Sequence, residues 1–424
     1  MSTGIDIVKI SRLNKFPIEQ FAAKILSKEE LSLPQAKNVQ SLAATFAAKE
    51  AFSKALGTGV RGFDLKDVCV MRNSLGKPYL TFSQKLQDML NCMGVCNVDV
   101  SLTHEKEYAL AVVNIDYEIK RRLYNAAIKK FDADILHGAI TPDMVRSILP
   151  ARAKNLHKGD CGRCFIIAGS IGLTGAAIMS SKSCIRCGAG LVTLGCPMSL
   201  NSIFEVALTE VMTLPLKDSD GVIDCQDMHR INDFASKSDC ILFGPGLTRA
   251  KSVGDILTSL ISEYDKTIVI DADGINVLSK NINILREHKA DIILTPHLGE
   301  FATLTGKTIS DIQANGEEYA RKFSAQFGVT TVLKSHKTVV ASPDGRVYVN
   351  ILGNPGMATG GSGDVLSGAI ASFVSQGFTA ADSALLGVYI HSLASDMAAI
   401  DKGEYGLIPT DTLEFLPYAI KYSI

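Results

Sequence analysis

From residue 164 onward the sequence repeats one pattern: short runs of aliphatic and β-branched residues, each followed by a longer stretch of helical character. The runs fall at 165–168, 191–194, 240–243, 267–270, 291–294 and 331–333. A strand covered on both faces needs apolar side chains in both directions, and two neighbouring parallel strands need a crossover long enough to hold a helix. The pattern therefore predicts βαβ units and a mainly parallel, doubly wound α/β sheet. A hairpin interrupts it, with strands 338–342 and 346–350 joined through Pro343, Asp344 and Gly345.

The first 117 residues read differently: short apolar strands around one long helix, an α+β unit closed by the run 108–115. Between the two parts, residues 117–131 carry Lys120, Arg121, Arg122, Lys129 and Lys130 among scattered apolar side chains, which suits an exposed linking helix. The expected layout is 1–117, a linker over 118–139, and 140–424. A length of 424 residues with 46% apolar and 21% charged composition supports two or three cores without long disorder. The net charge of -1 speaks against a nucleic-acid partner. No signal peptide is visible at the start, no apolar run approaches the ~20 residues that span a bilayer, and ten cysteines read as reduced thiols. The expectation is a cytoplasmic protein with no membrane association.

In the first part, residues 40–56 form an apolar helix stopped by Gly57, and its few polar groups, Lys49, Glu50, Ser53 and Lys54, share an arc of about 140°. Glu50 and Lys54 stand one turn apart, which also suits a plain surface ion pair. Asp6, in Gly4-Ile5-Asp6-Ile7-Val8, occupies the polar side of an otherwise apolar strand. A strand carboxylate and a helix carboxylate match the needs of Mg²⁺, which takes one or two carboxylates plus substrate phosphate oxygens, although spacing alone does not bring them together. Gly57-Thr58-Gly59-Val60-Arg61-Gly62 fits a dinucleotide fingerprint but follows a helix where a strand is required, so it reads as a helix stop and loop.

With Phe46-Ala47-Ala48-Lys49-Glu50-Ala51-Phe52-Ser53-Lys54-Ala55-Leu56-Gly57, Gly76-Lys77-Pro78-Tyr79 and Ser101-Leu102-Thr103-His104-Glu105-Lys106, the strand around Asp6 resembles holo-[acyl-carrier-protein] synthase, a 4′-phosphopantetheinyl transferase. The resemblance implies transfer of 4′-phosphopantetheine from coenzyme A to a serine of acyl carrier protein. It implies that Asp6 and Glu50 hold Mg²⁺, that Lys54 assists the leaving phosphate, and that Lys49 and His104 contact phosphates. Arg12 would meet the acidic carrier. It also implies a homo-oligomer, a trimer with sites between subunits.

In the second part, Asn354-Pro355-Gly356-Met357-Ala358-Thr359-Gly360-Gly361-Ser362-Gly363-Asp364 precedes an apolar helix. Bare glycine backbone admits a phosphate, and the amides of a helix start face that anion. No Lys follows the glycines, so this is not a P-loop. Asp364 falls in the helix's first turn, where plain capping is the bland role. Gly244-Pro245-Gly246, Asp271-Ala272-Asp273-Gly274 and Thr295-Pro296-His297-Leu298-Gly299-Glu300 each follow a predicted strand, where ligands bind in open α/β sheets.

Together with Gly175-Ala176 and the run 334–338, these loops are similar to the ribokinase-like ADP- or ATP-dependent NAD(P)H-hydrate dehydratases. The resemblance implies that Asp364 takes the proton of the hydrate's hydroxyl, that glycines 360, 361 and 363 shape an anion hole, and that Ala176, Gly246 and His297 line the dinucleotide pocket. Lys334, Ser335, His336, Lys337, Thr338 and Gly363 would hold ADP or ATP. Ser335 stands where that family commonly has glycine. The companion epimerase domain is not recognised in the sequence, so repair of one epimer of hydrated NAD(P)H is expected.

Three other readings stay open. The second part could be a small-molecule kinase of the ribokinase group. The first could be a non-catalytic oligomerisation or carrier-docking module. Cys161-x-x-Cys164 and Cys184-x-x-Cys187 have zinc-site spacing, against which Cys164 and Cys184 sit in apolar elements where cysteine is an ordinary core residue.

Overall fold

The computed structural model describes residues 1–15, 17–33, 36, 38–132 and 138–424, and divides into two compact units, Met1–Asn125 and Ala126–Ile424. The division falls within the expected linker. There a helix, Ile119–Ala127, and a 3-10 turn, Ile128–Asp132, form the expected linking segment, which is exposed only in part. Tyr124 and Ala127 are each only 2% exposed, because the apolar residues scattered through that basic stretch fall on one side and pack. The linker's residues 133–137 lie outside the described residues.

The first unit is α+β. Its strands are β1 (Ser2–Lys9), a hairpin of β2 (Val68–Arg72) and β3 (Pro78–Phe82), and then β4 (Val95–His104) and β5 (Tyr108–Tyr117). β1, β5 and β4 form an antiparallel sheet in that order. The helix Val39–Leu56 lies on one face, capped by the Asn38 side chain, which accepts from the Ser41 amide, and ended by Gly57 at φ 79°. It comes close to β1 at Gly4, where any Cβ would run into the Ala51 carbonyl. Strand alternation then points Gly4, Asp6 and Val8 toward the helix and turns Ile5 and Ile7 outward, 54% and 59% exposed. This inverts the expected polar side of β1: the carboxylate faces the helix and the isoleucines form an open face.

The second unit is a nine-stranded sheet. Its strands are β6 (Arg163–Ile167), β7 (Leu191–Pro197), β8 (Met212–Leu216), β11 (Cys240–Phe243), β12 (Thr267–Ile270), β13 (Asp291–Leu294), β14 (Thr330–Leu333), β15 (Val339–Ala341) and β16 (Val347–Val349). A two-stranded ribbon of β9 (Asp218–Ser219) and β10 (Val222–Ile223) stands apart. The order is β16-β15-β14-β13-β12-β11-β6-β7-β8, parallel from β14 to β8, with the β15–β16 hairpin antiparallel at one edge. β8 contains Pro215, which masks it in the sequence but is tolerated because β8 is an edge strand. The order reverses between β6 and β11, which places the switch point of the sheet there.

Two helices bury almost their whole length against this sheet, Ser362–Ser375 and Ala380–Lys402. The second corrects the expectation that no apolar stretch nears membrane-spanning length. By length and composition it could cross a membrane, yet 89% of its apolar window is buried inside the protein. A helix surrounded by core must be apolar all round. Close helix packing needs small residues, and Gly368 provides one: a Cβ there would overlap the Ser180 carbonyl of the helix Thr174–Arg186.

Candidate active sites

In the first unit, packing of the helix Val39–Leu56 on β1 brings Lys54 Nζ to within 2.7 Å of Asp6 Oδ1 and 3.1 Å of the Ile5 carbonyl. Glu50 sits one turn earlier on the same helix, half-buried. The register sets Val8, Ala109 and His104 in one row across the sheet, adjacent to the row of Asp6, Ala111 and Leu102. His104 therefore shares the helix-facing side with Asp6, two strands and one row away, roughly 12 Å between backbones, and is exposed. Asp6 and Glu50 are the residue type that a phosphate-bound Mg²⁺ takes, and Lys54 links the strand to the helix that carries Glu50.

Lys49 does not join them. It is fully buried, donates to Glu30 Oε2 at 2.6 Å and to the Ile25 carbonyl at 2.7 Å, and has its pKa lowered by burial against the opposing pull of Glu30. The expected phosphate contact is corrected to a core ion pair. Glu30 is saturated as well, accepting from the amides of Ser27 and Val70 at 2.8 Å each. Its signal in the sequence was the capping box Ser27-x-x-Glu30.

In the second unit, the loops after β6, β11, β12, β13 and β14 emerge side by side at the carboxyl edge of the sheet. Ala176 and Gly246 meet there: a Cβ on Gly246 would stand 3.1 Å from that of Ala176, and Ser170 Oγ donates to the Gly246 carbonyl at 2.8 Å. His297 caps the helix Leu298–Thr305, its Nδ1 accepting from the amides of Gly299 and Glu300 at 3.0 and 3.1 Å. Accepting at Nδ1 puts the ring proton on Nε2, which lies 3.4 Å from Glu300 Oε1. Burial, and then Lys334, lower the His297 pKa.

Lys334 is the charge centre of this edge. Its ammonium is 2.7 Å from the buried Asp271 carboxylate and would be 3.3 Å from a Cβ on Gly363. Burial works against its charge, but Asp271, Glu300 and Asp364 outweigh that and raise its pKa. Ser335, His336 and Lys337 follow in an exposed loop, which Ser335 Oγ and Thr338 Oγ1 tie together through the Lys337 and Ser335 carbonyls. Asp364 lies in the first turn of the helix Ser362–Ser375, which begins from Gly361 at φ 101°. Burial, then Asp271, push the Asp364 pKa up to about 7, with Lys334 opposing. Glu300 is likewise raised to about 7, by burial first.

Backbone strain and buried polar groups add to what the sequence marks. Thr248 (φ 72°) and Ala272 (φ 49°) hold left-handed conformations that side chains disfavour, and Asp273 Oδ2 secures the first by accepting from the Thr248 amide at 2.8 Å. His391 and Asp396 are buried in the apolar helix Ala380–Lys402; Asp396 is hydrogen-bonded at both oxygens, whereas His391 Nε2 has no hydrogen-bond partner among the described residues. Burial pushes the His391 pKa down to about 4. The zinc spacing resolves into packing: Cys164 on β6 pairs in register with Cys240 on β11, and the Cys164 thiol interacts with those of Cys184 and Cys240. Among the described residues no group of three or more His, Cys, Asp or Glu is arranged to hold a metal.

The model of the NAD(P)H-hydrate dehydratase family matches residues 164–418, and that of the 4′-phosphopantetheinyl transferase superfamily matches residues 2–113. A bifunctional NAD(P)H-hydrate repair enzyme of Moorella thermoacetica is 38% identical over 66% of this chain and 53% of its own length. The chain thus spans about half the length of such relatives. An ADP-dependent (S)-NAD(P)H-hydrate dehydratase of Neisseria meningitidis is 36% identical over 59% of this chain and 81% of its own. The crystal structure of the ADP/ATP-dependent NAD(P)H-hydrate dehydratase from Bacillus subtilis, co-crystallised with ATP and Mg²⁺, covers 68% of this chain and 98% of its own, with a TM-score of 0.59 and 27% identity.

Proposed function

Since this chain belongs to the NAD(P)H-hydrate dehydratase family, we propose that its second unit returns (6S)-hydrated NAD(P)H to NAD(P)H with ADP or ATP as phosphoryl donor. The observation that carries this reading is Asp364, a carboxylate with a pKa raised to about 7, in the first turn of a helix entered through glycines and beside the Lys334–Asp271 pair. Asp364 accepts the proton of the hydrate's hydroxyl, and that oxygen takes the terminal phosphoryl group of the nucleotide. The C–O bond then breaks, phosphate leaves, and loss of a neighbouring ring proton restores the double bond. The amides at Gly360, Gly361 and Gly363 stabilise charge on the phosphoryl group in transfer, a preorganised effect. Lys334 to Thr338 hold the nucleotide, and Ala176, Gly246 and His297 line the dinucleotide side. The test is direct: hydrated NADH mixed with the protein and ADP or ATP regains nicotinamide absorbance. Phosphorylation of a stable alcohol without that return would make the unit a kinase.

The first unit we read as a 4′-phosphopantetheinyl transferase acting on acyl carrier protein with coenzyme A, supported by the superfamily match and by the meeting of Asp6 with Lys54 one turn from Glu50. Asp6 and Glu50 would hold Mg²⁺, which supplies charge neutralisation at the pyrophosphate. Lys54 would give up its pairing with Asp6 to meet the leaving phosphate, and His104 would contact a phosphate from the sheet. The open isoleucine face of β1 supports self-association, as a trimer. Ten free thiols suit the cytoplasm. Mass spectrometry of apo carrier protein after incubation with coenzyme A and Mg²⁺ decides the assignment: an unmodified serine rejects it.

A further inference from the structure

The glycine-rich loop is clamped where it leaves the sheet, by two charges that no step above uses. Asp396, on the helix Ala380–Lys402, is 3% exposed and engaged at both oxygens. Its Oδ2 accepts from the Gly353 amide at 3.0 Å and from Lys130 Nζ at 2.8 Å, while Oδ1 accepts from Asn354 Nδ2 at 3.0 Å. Lys130 Nζ also donates to the Gly353 carbonyl at 2.7 Å, so both backbone polar groups of Gly353 are held. With its Nδ2 turned to Asp396, Asn354 presents Oδ1 to the next turn and accepts from the Gly356 amide at 3.1 Å. Gly353 has φ 112°, a conformation open to glycine, so the clamp grips a bend that other residues would resist. A few residues on come Gly360, Gly361 and Gly363, and then Asp364.

We infer that Asp396 and Lys130 are positioning residues for phosphoryl transfer: they fix the direction in which the chain leaves β16, and through it where the glycine amides face the transferring group. The inference rests on the dehydratase reading of this unit. The two groups need each other. A buried carboxylate is costly without a cation, and losing one member of such a pair lets the other rearrange. The bend at Gly353 is where that rearrangement would be felt. Lys130 precedes the segment 164–418 that matches the family, so the cation reaches the loop from the turn Ile128–Asp132, ahead of the motif-bearing sequence. Lys130 is 40% exposed, so its removal disturbs the loop more than the core.

The full chain and its Lys130→Met, Lys130→Arg and Asp396→Asn variants are compared with hydrated NADH and ADP or ATP, each at its own thermal midpoint and by steady-state kinetics. In Lys130→Met, which keeps the side chain's bulk, kcat should fall about tenfold or more, the scale of a small misplacement of reacting groups. KM for the hydrate should hardly move, and Lys130→Arg should recover most of kcat. Asp396→Asn should show the same kcat loss. Lys130→Met with wild-type kcat overturns the inference alone, as does a loss that Arg does not restore and that follows the fraction unfolded. A wild-type chain silent with both nucleotides overturns the dehydratase reading and the inference with it.

Discussion

Asp364 shows how one side chain acquires its chemistry from its neighbours. In water its carboxyl would be ionised far below neutrality, but burial and the Asp271 charge raise its pKa to about 7, and Lys334 limits that rise. On the proposed role of Asp364 as the base, which must be ionised to accept a proton, dehydration should weaken below about pH 7, a limb visible in kcat/KM against pH. The neighbours give the sign test. Glu300→Gln removes a negative charge and should move the limb to lower pH, whereas Lys334→Met removes the positive one and should move it higher. Asp364→Asn should lower kcat by about a hundredfold to ten-thousandfold, the usual scale for a general base. The first unit has the opposite kind of residue. Along the chain Lys49 is legible as a polar group on an apolar helix, and the resemblance adds a phosphate contact, because its actual partner Glu30 is 19 positions away and on another helix. Lys49→Met leaves that buried carboxylate with its two amide donors but without its cation, and should cost about 3–5 kcal/mol in denaturant unfolding of the unit. Adding Glu30→Gln should recover part of the loss.

At the scale of elements, most strands were legible because a buried parallel strand must be apolar throughout. β8 escaped because an edge strand need not be, and Pro215 argued against it. The expected hairpin appears as β15 and β16, each shorter by a residue at both ends, with Ala341 paired to Val347. The sequence marks the centre of β1, residues 4–8 of Ser2–Lys9, but not which of its faces is covered. Alternation fixes that Ile5 and Ile7 share a face, but only the helix packing on Gly4 decides which face is covered. The helix Ser362–Ser375 meets Thr174–Arg186 at Gly368 so closely that Gly368→Ala must push the two apart. That should destabilise the second unit by about 1–3 kcal/mol, read from its thermal or chemical unfolding, and displace the helix whose first turn carries Asp364.

For the whole molecule, the exposed isoleucines of β1 predict association. Ile5→Lys with Ile7→Lys should reduce the particle to single chains in sedimentation or light scattering and abolish pantetheine transfer while leaving hydrate dehydration in place. Loss of both activities would point to misfolding, and an unchanged particle would reject the face as the interface. The sequence by itself determined what depends on neighbours along the chain: the two kinds of fold, the parallel direction of the βαβ strands, the helix stop at Gly57 and the glycine entry to Asp364. These follow from periodicity, steric freedom and capping, all of which act within a few residues. The tertiary structure alone decided which charges meet. Lys54 with Asp6, Lys49 with Glu30, Lys334 with Asp271 and Lys130 with Asp396 join residues 19 to 266 positions apart. Electrostatics depends on distance in space and on exclusion of water, and neither is defined until the chain has packed.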